Sequence, residues 1–361
     1  MTPMADMANK SLDFNEQVRQ WVDETREFMI SNSMLNVIML ALSVILHGVL
    51  SLAGVLSNSV NVLVFIRLGL KDSMSVGLWA LSFTDLVVSA LQLGGCISYL
   101  VAIIYPRNLI DIWYIGRFYF SWARYVGYFI SCWITTIIVL ERCYCVVSPF
   151  RVRQVFTKTK CVMFIIAICV VHIAMLVPVY TFPHFEWGRY STGEKDENGT
   201  DTYYMQIKLH LTVESAKSQF IINIMEGVVL SVTSQVLIIL CTVWMIYSLK
   251  SSSRIRSSQD CKNVNNLSAR EKRLVKVVIL LAIIQTACNI PRFFVTIVVH
   301  HVLPGVQLGT YNNLGILMWE VANVFSTTCC VINIFVYLTL NANFINQFCS
   351  VFKKRLYSQQ H

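Results

Sequence analysis

Six places in this sequence carry Asp, Glu or Arg inside otherwise uncharged apolar stretches: Asp85, Arg124, the Glu141-Arg142 pair, Glu226, Arg292 and Glu320. If those stretches cross a membrane, each such residue costs roughly 2.5–3.5 kcal/mol on insertion scales and needs a compensating role. Asp85 sits near the middle of its stretch, too far from either end to snorkel, and suits an internal polar network. Arginine can bind an anionic group bidentately, a chemistry open to Arg124 and to Arg292. Glu226 and Glu320 could bind an amine or neutralise an arginine. Arg124, Glu226 and Glu320 lie toward the ends of their stretches, where snorkelling or mutual pairing is also open to them.

The elements that hold these residues follow from composition. The chain has 361 residues, 55% hydrophobic and only 14% charged, with a mean hydropathy of +0.58. Soluble domains usually carry about 25% charged residues. These values exclude a water-soluble enzyme and a disordered chain alike. No Asp, Glu, Lys or Arg occurs from Phe28 to Ile66, and further charge-free runs follow. A bilayer core takes about 20 apolar residues of helix. Merging runs split by a single charge predicts seven spans, at 38–67, 73–103, 112–146, 160–183, 218–249, 272–301 and 311–339. Lipid offers backbone amides no partner, so the spans must be helical. The alternating repeats of an outer-membrane barrel are missing. The expected fold is an all-α membrane protein, a seven-transmembrane helix bundle.

Charge asymmetry predicts the orientation. The segment before span 1 has six acids against three bases. The loops after spans 3 and 5 and the tail are basic, as in Arg151, Arg153, Lys250, Arg254, Lys353 and Lys354. The N-terminus is therefore expected outside and the tail inside. The first 30 residues hold nine charges and no central apolar stretch, which argues against a cleaved signal peptide. The net charge of +9 then lies on the cytoplasmic face, facing anionic lipid or an acidic protein surface and not nucleic acid. Sequons at Asn9 and Asn198 fall on the expected outer side, and one at Asn266 falls inside, where it is unusable. None of the twelve cysteines lies in an expected outer segment, so no extracellular disulfide is available there.

Five motifs, each on its expected span, carry a resemblance. They are Ser57-Asn58 on span 1, Leu81 to Asp85 on span 2, and Glu141-Arg142-Cys143 closing span 3. Span 6 has Cys288-Asn289-Ile290-Pro291, and span 7 ends Asn333-Ile334-Phe335-Val336-Tyr337. Residues 30–357 resemble a rhodopsin-like (class A) G-protein-coupled receptor, of a divergent kind similar to invertebrate chemosensory-type or peptide-type receptors. The resemblance implies a plasma-membrane protein that binds an extracellular ligand and activates a heterotrimeric G protein by outward movement of span 6. Glu141, Arg142, Glu271, Pro291, Asn333 and Tyr337 would form its activation switch, with Arg142 facing Glu271. Asn58, Asp85, Ser131 and Asn333 would form a mid-membrane polar network. Arg124, Glu226, Asn289, Arg292 and Glu320 would line the ligand pocket. Span 7 holds no Lys for a retinal Schiff base, and Arg124 replaces the Asp of amine receptors. The sequence departs from the family at Arg117, which stands where a disulfide cysteine is usual. It departs again at Asn289 in place of the span 6 Trp, and at Ile334 in place of the span 7 Pro.

The expected organisation is an extracellular segment 1–34, a receptor domain 35–340, and an amphipathic helix with a short tail at 341–361. In that last segment Phe344, Ile345, Phe348, Val351 and Phe352 repeat at helical spacing, and Cys349 is a candidate for palmitoylation. No metal-ligand set, nucleotide loop or catalytic triad stands out, so neither a cofactor nor an enzyme activity is expected. Two alternatives are a transporter, which predicts internal repeats, and a seven-span ligand-gated chemosensory channel with a cytoplasmic N-terminus.

Overall fold

The computed structural model describes residues 32–105, 109–148, 155–195, 201–256, 269–298, 312–340 and 344–350. Helix α1 comprises Asn32–Met39, a π-helical stretch Leu40–Leu46 and His47–Leu68. Next come α2 (Ser73–Ile104), α3 (Ile112–Val147) and α4 (Lys158–Thr181). A hairpin of β1 (His184–Lys195) and β2 (Asp201–His210) leads to α5. This helix comprises Val213–Ile224, a π-helical stretch Met225–Leu230 and Ser231–Arg256. The chain continues through α6 (Ala269–Ile297) and α7 (Asn312–Leu340) to a helical segment α8 at 344–350.

Seven helices are long and apolar enough to cross a membrane, and each coincides with an expected span. Their starts are set by local chemistry. The Asp111 carboxylate accepts from Tyr114 N at 3.0 Å, and the hydroxyls of Thr157 and Thr212 accept from Lys160 N and Ser215 N. These caps satisfy amides that a helix start leaves orphaned. The Thr212 cap is why α5 begins at Val213 and not near residue 218.

Helix α3 is central. It packs against α2, α4, α5 and α6 and touches β2. It is far more buried than the peripheral α4, whose fully buried residues are Cys161, His172 and Val179. The main core joins Phe65, Leu81, Phe129, Ile138, Leu281 and Tyr337. Gly54 lets α1, α2 and α7 meet closely: a Cβ there would lie 2.9 Å from Ser89 Cβ and 3.2 Å from Val331. Leu56, Val170, Trp244 and Phe335 point outward, as apolar residues facing lipid do.

The hairpin is the element that helical periodicity does not announce. Its antiparallel register pairs His184 with His210 and Trp187 with Ile207, with a bulge between Ser191 and Lys195. Ile207 N donates to Leu109 O at 2.8 Å, and Asp111 N donates to Ile207 O at 2.9 Å. The hairpin is therefore tied by main-chain bonds to the segment that starts α3. None of the eleven described cysteines forms a disulfide.

Candidate functional site

In the hairpin half of the bundle, Arg124 on α3 and Arg292 on α6 are 4% and 2% exposed. Arg292 follows Pro291 inside a continuous helix and is packed in aromatic rings. Its guanidinium carbon lies 5.3, 5.2 and 5.7 Å from the ring centroids of Tyr125, Tyr128 and Phe129. Such faces attract a cation most strongly where water is excluded. Arg292 Nη2 donates to Ser326 Oγ at 3.0 Å and to Asn323 Oδ1 at 3.3 Å. Its Nε and Nη1, and Nη1 of Arg124, have no hydrogen-bond partner among the described residues.

Arg124 lines a cavity of about 50 Å³ with Gln92, Tyr99, Arg117, Glu320 and Asn323. That is room for a few waters or one small charged group. Glu320 does not bond Arg124. Its carboxylate lies 3.8 Å from Arg117 Nη2 and 3.5 Å from His47 Nε2. Among the described residues no carboxylate forms an ion pair with Arg124 or Arg292. The site thus offers unsatisfied N–H donors and an excess of positive charge.

At mid-membrane, Asp85 is fully buried. Its Oδ1 accepts from Ser131 Oγ at 2.6 Å and its Oδ2 from Asn333 Nδ2 at 2.7 Å. One carboxylate thereby joins α2, α3 and α7. Asn58 Nδ2 donates to Cys330 O at 2.9 Å and to Gly54 O at 3.0 Å, and Asn61 donates to Asn58 Oδ1. A second chain joins α3, α5 and α6. Tyr128 Oη donates to Asn289 Oδ1 at 2.8 Å, Asn289 Nδ2 donates to Gln235 Oε1 at 3.1 Å, and Gln235 Nε2 donates to Thr286 Oγ1. Buried polar groups satisfied in this way act as one cooperative unit.

At the far end of α3, Glu141 is 3% exposed. Its Oε1 accepts from Arg142 Nη2 at 2.7 Å and from Ser73 Oγ at 2.5 Å. Arg142 lies eighteen residues from Arg124, about 27 Å along the helix. Glu271 stands in the first turn of α6, and its side chain lies outside what is described. Tyr337 is buried, with its ring centroid 5.2 Å from that of Phe65 and 5.5 Å from that of Phe344.

The profile of the 7 transmembrane receptor (rhodopsin family) matches residues 57–337. The chain belongs to this rhodopsin-like family. A comparison with curated proteins finds no match.

In this receptor the elements bring Asn58, Asp85, Ser131 and Asn333 together in one polar region. Arg124, Arg292 and Glu320 share another, linked by Asn323, while Asn289 lies deeper with Tyr128. Glu226 is not brought to the arginines. It sits in the π-helical stretch of α5, fully buried, with both carboxylate oxygens 2.7 Å from His172 Nδ1 on α4. The neighbouring Gly227 leaves room for Tyr125: a Cβ there would lie 2.7 Å from Tyr125 Oη. Cys349 is exposed on α8, and Asn9 and Asn198 lie outside the described residues.

Counting only Asp, Glu, Lys and Arg passes over His47 and His172, both fully or almost fully buried partners of acids. A histidine inside a charge-free run was the available signal. Ser73, Gln235 and the aromatic rings around Arg292 carried none, because serine, glutamine and tyrosine are ordinary in apolar runs.

Proposed function

We propose that this receptor binds an extracellular ligand with an anionic group in the hairpin half of its bundle and activates a heterotrimeric G protein. In this reading the receptor lies in the plasma membrane, with its N-terminus outside and its tail in the cytoplasm. The observation that carries the ligand reading is the pair of buried arginines, Arg124 and Arg292, whose unmatched N–H groups meet no carboxylate among the described residues. Leaving such donors unmet costs about 1–3 kcal/mol each, which an incoming carboxylate would recover. A small acid, a zwitterion or a peptide terminus fits this chemistry, with Glu320 as the nearest counterpart for an amine. The cavity of about 50 Å³, lined from α1, α2, α3 and α7, suits the anionic group itself.

At the opposite end, Glu141 would hold Arg142 at rest, with Glu271 as a second carboxylate on α6. Ligand binding would favour the state in which α6 swings out about Pro291 and Arg142 is freed for the G protein. The missing amide hydrogen of Pro291 supplies a weak point in the α6 ladder. The test is a screen of acidic metabolites and free-acid peptides in transfected cells with a G-protein readout. An acidic agonist should lose its effect when its carboxylate is amidated, and Arg124→Glu should abolish the response at equal surface expression. A strong agonist indifferent to both changes would overturn the anion reading.

A further inference from the structure

The base of the hairpin holds three metal-ligating side chains. His184 and Glu186 are two residues apart on β1 and so share a face. His210 on β2 is the cross-strand partner of His184. The two imidazole rings have centroids 4.9 Å apart. One nitrogen of each ring and one oxygen of Glu186 all lie within 4.8 Å of one another. We propose that these residues form a zinc site that clamps the hairpin where it joins α4 and α5.

The chemistry favours zinc over calcium or magnesium. Two imidazoles and one carboxylate, with a fourth position open to water, is a tetrahedral zinc set, whereas hard cations prefer all-oxygen cages. Bonds of 2.0–2.1 Å place tetrahedral ligand atoms about 3.4 Å apart. The present spread closes to that by side-chain rotation, because both histidines are exposed and Glu186 is half-buried. The ladder fixes the strands in register, and the Ile207 bonds to Leu109 and Asp111 anchor β2 from its other edge.

One neighbour opposes the metal. Lys208, cross-strand from Glu186, places its Nζ 3.2 Å from that carboxylate. An ion would displace this ammonium from an exposed pair of small worth. The site lies three residues after Thr181, the end of α4, and two before Thr212, the cap of α5. Bound zinc would restrain the relative position of those two helix ends.

The test uses purified full-length receptor in detergent, stripped with a chelator and titrated with Zn²⁺ by calorimetry. Co²⁺ serves as a second probe, for the visible absorption of a four-coordinate ion. One zinc per chain is expected at this cluster. His184→Ala and His210→Ala should each weaken it more than about 10-fold, the least that losing even a supporting group costs. Lys208→Met should tighten it several-fold by freeing Glu186. Equal zinc affinity in the wild type and in a His184→Ala/His210→Ala double variant would overturn the proposal. So would an absence of zinc binding by the folded wild type. The replaced histidines are exposed, so an unchanged melting curve without metal verifies folding of the variants.

Discussion

His172 Nδ1 lies 2.7 Å from both carboxylate oxygens of Glu226, joining α4 to α5 through two buried side chains. The peripheral α4 buries little else, with Cys161 and Val179 its other fully buried residues. This pair is therefore a main polar tie between α4 and the rest of the bundle. Removing one partner strands the other in a dry site. Glu226→Ala should destabilise the receptor by about 1–3 kcal/mol, read as a lower melting temperature in detergent. A His172→Phe/Glu226→Leu double variant should recover most of that loss, because apolar replacement of both partners is often close to neutral. Equal melting of wild type and Glu226→Ala would rule the tie out.

Asp85 holds α2, α3 and α7 through Ser131 and Asn333. Asp85→Ala leaves both donors without an acceptor and should lower stability by about 1–3 kcal/mol. Asp85→Asn keeps one acceptor oxygen and a similar shape, so it should melt closer to the wild type. Differential scanning fluorimetry of the two variants separates the outcomes. An Asn variant as unstable as the Ala variant would mean that the charge, not the hydrogen bonding, holds the three helices.

Ser73 and Arg142 converge on one oxygen of Glu141. Glu141→Ala should free Arg142 and raise basal G-protein signalling several-fold at equal surface expression. Ser73→Ala removes one of the two donors and should give a smaller rise in the same assay. Glu271→Ala should add to the rise if α6 supplies a second carboxylate. Silence in all three variants would count against any resting restraint on Arg142.

Ile207 donates its amide away from β1, to Leu109 O. Ile207→Pro deletes this donor while sparing the ladder between the two strands. Amide exchange at residues 109–111 should accelerate about 10-fold, which is the loss of one bond of ~1 kcal/mol or slightly more. The exchange of α2 and α3 interiors should stay unchanged. Hydrogen-exchange mass spectrometry on the full chain reads both. Unaltered exchange at 109–111 would show that the hairpin is held there by side chains.

The seven spans could be read from the chain because each depends on a local property: an uninterrupted run of apolar residues long enough for a bilayer. The cap residues Asp111, Thr157 and Thr212 are local as well: α3 starts at 112 as hydropathy alone predicts, while α4 and α5 start two and five residues earlier than it predicts. The polar region around Asp85 was legible through the order of motifs on spans 1, 2, 3 and 7. The hairpin was not legible, since a short strand alternating polar and apolar residues, such as Thr202 to Lys208, carries a weak signal beside long helical runs.

Composition and spacing by themselves determined how many helices cross the membrane, in which segments, and that a few ionisable groups must be satisfied inside. Only the tertiary structure decided which groups meet. Glu226 faces His172 and not an arginine, Arg292 rests on three aromatic rings, and His210 lies across from His184. The reason is geometric. A run of apolar residues places a side chain at a depth. Its partner depends on the rotation of each helix and the register of each strand, and packing with distant parts of the chain sets both.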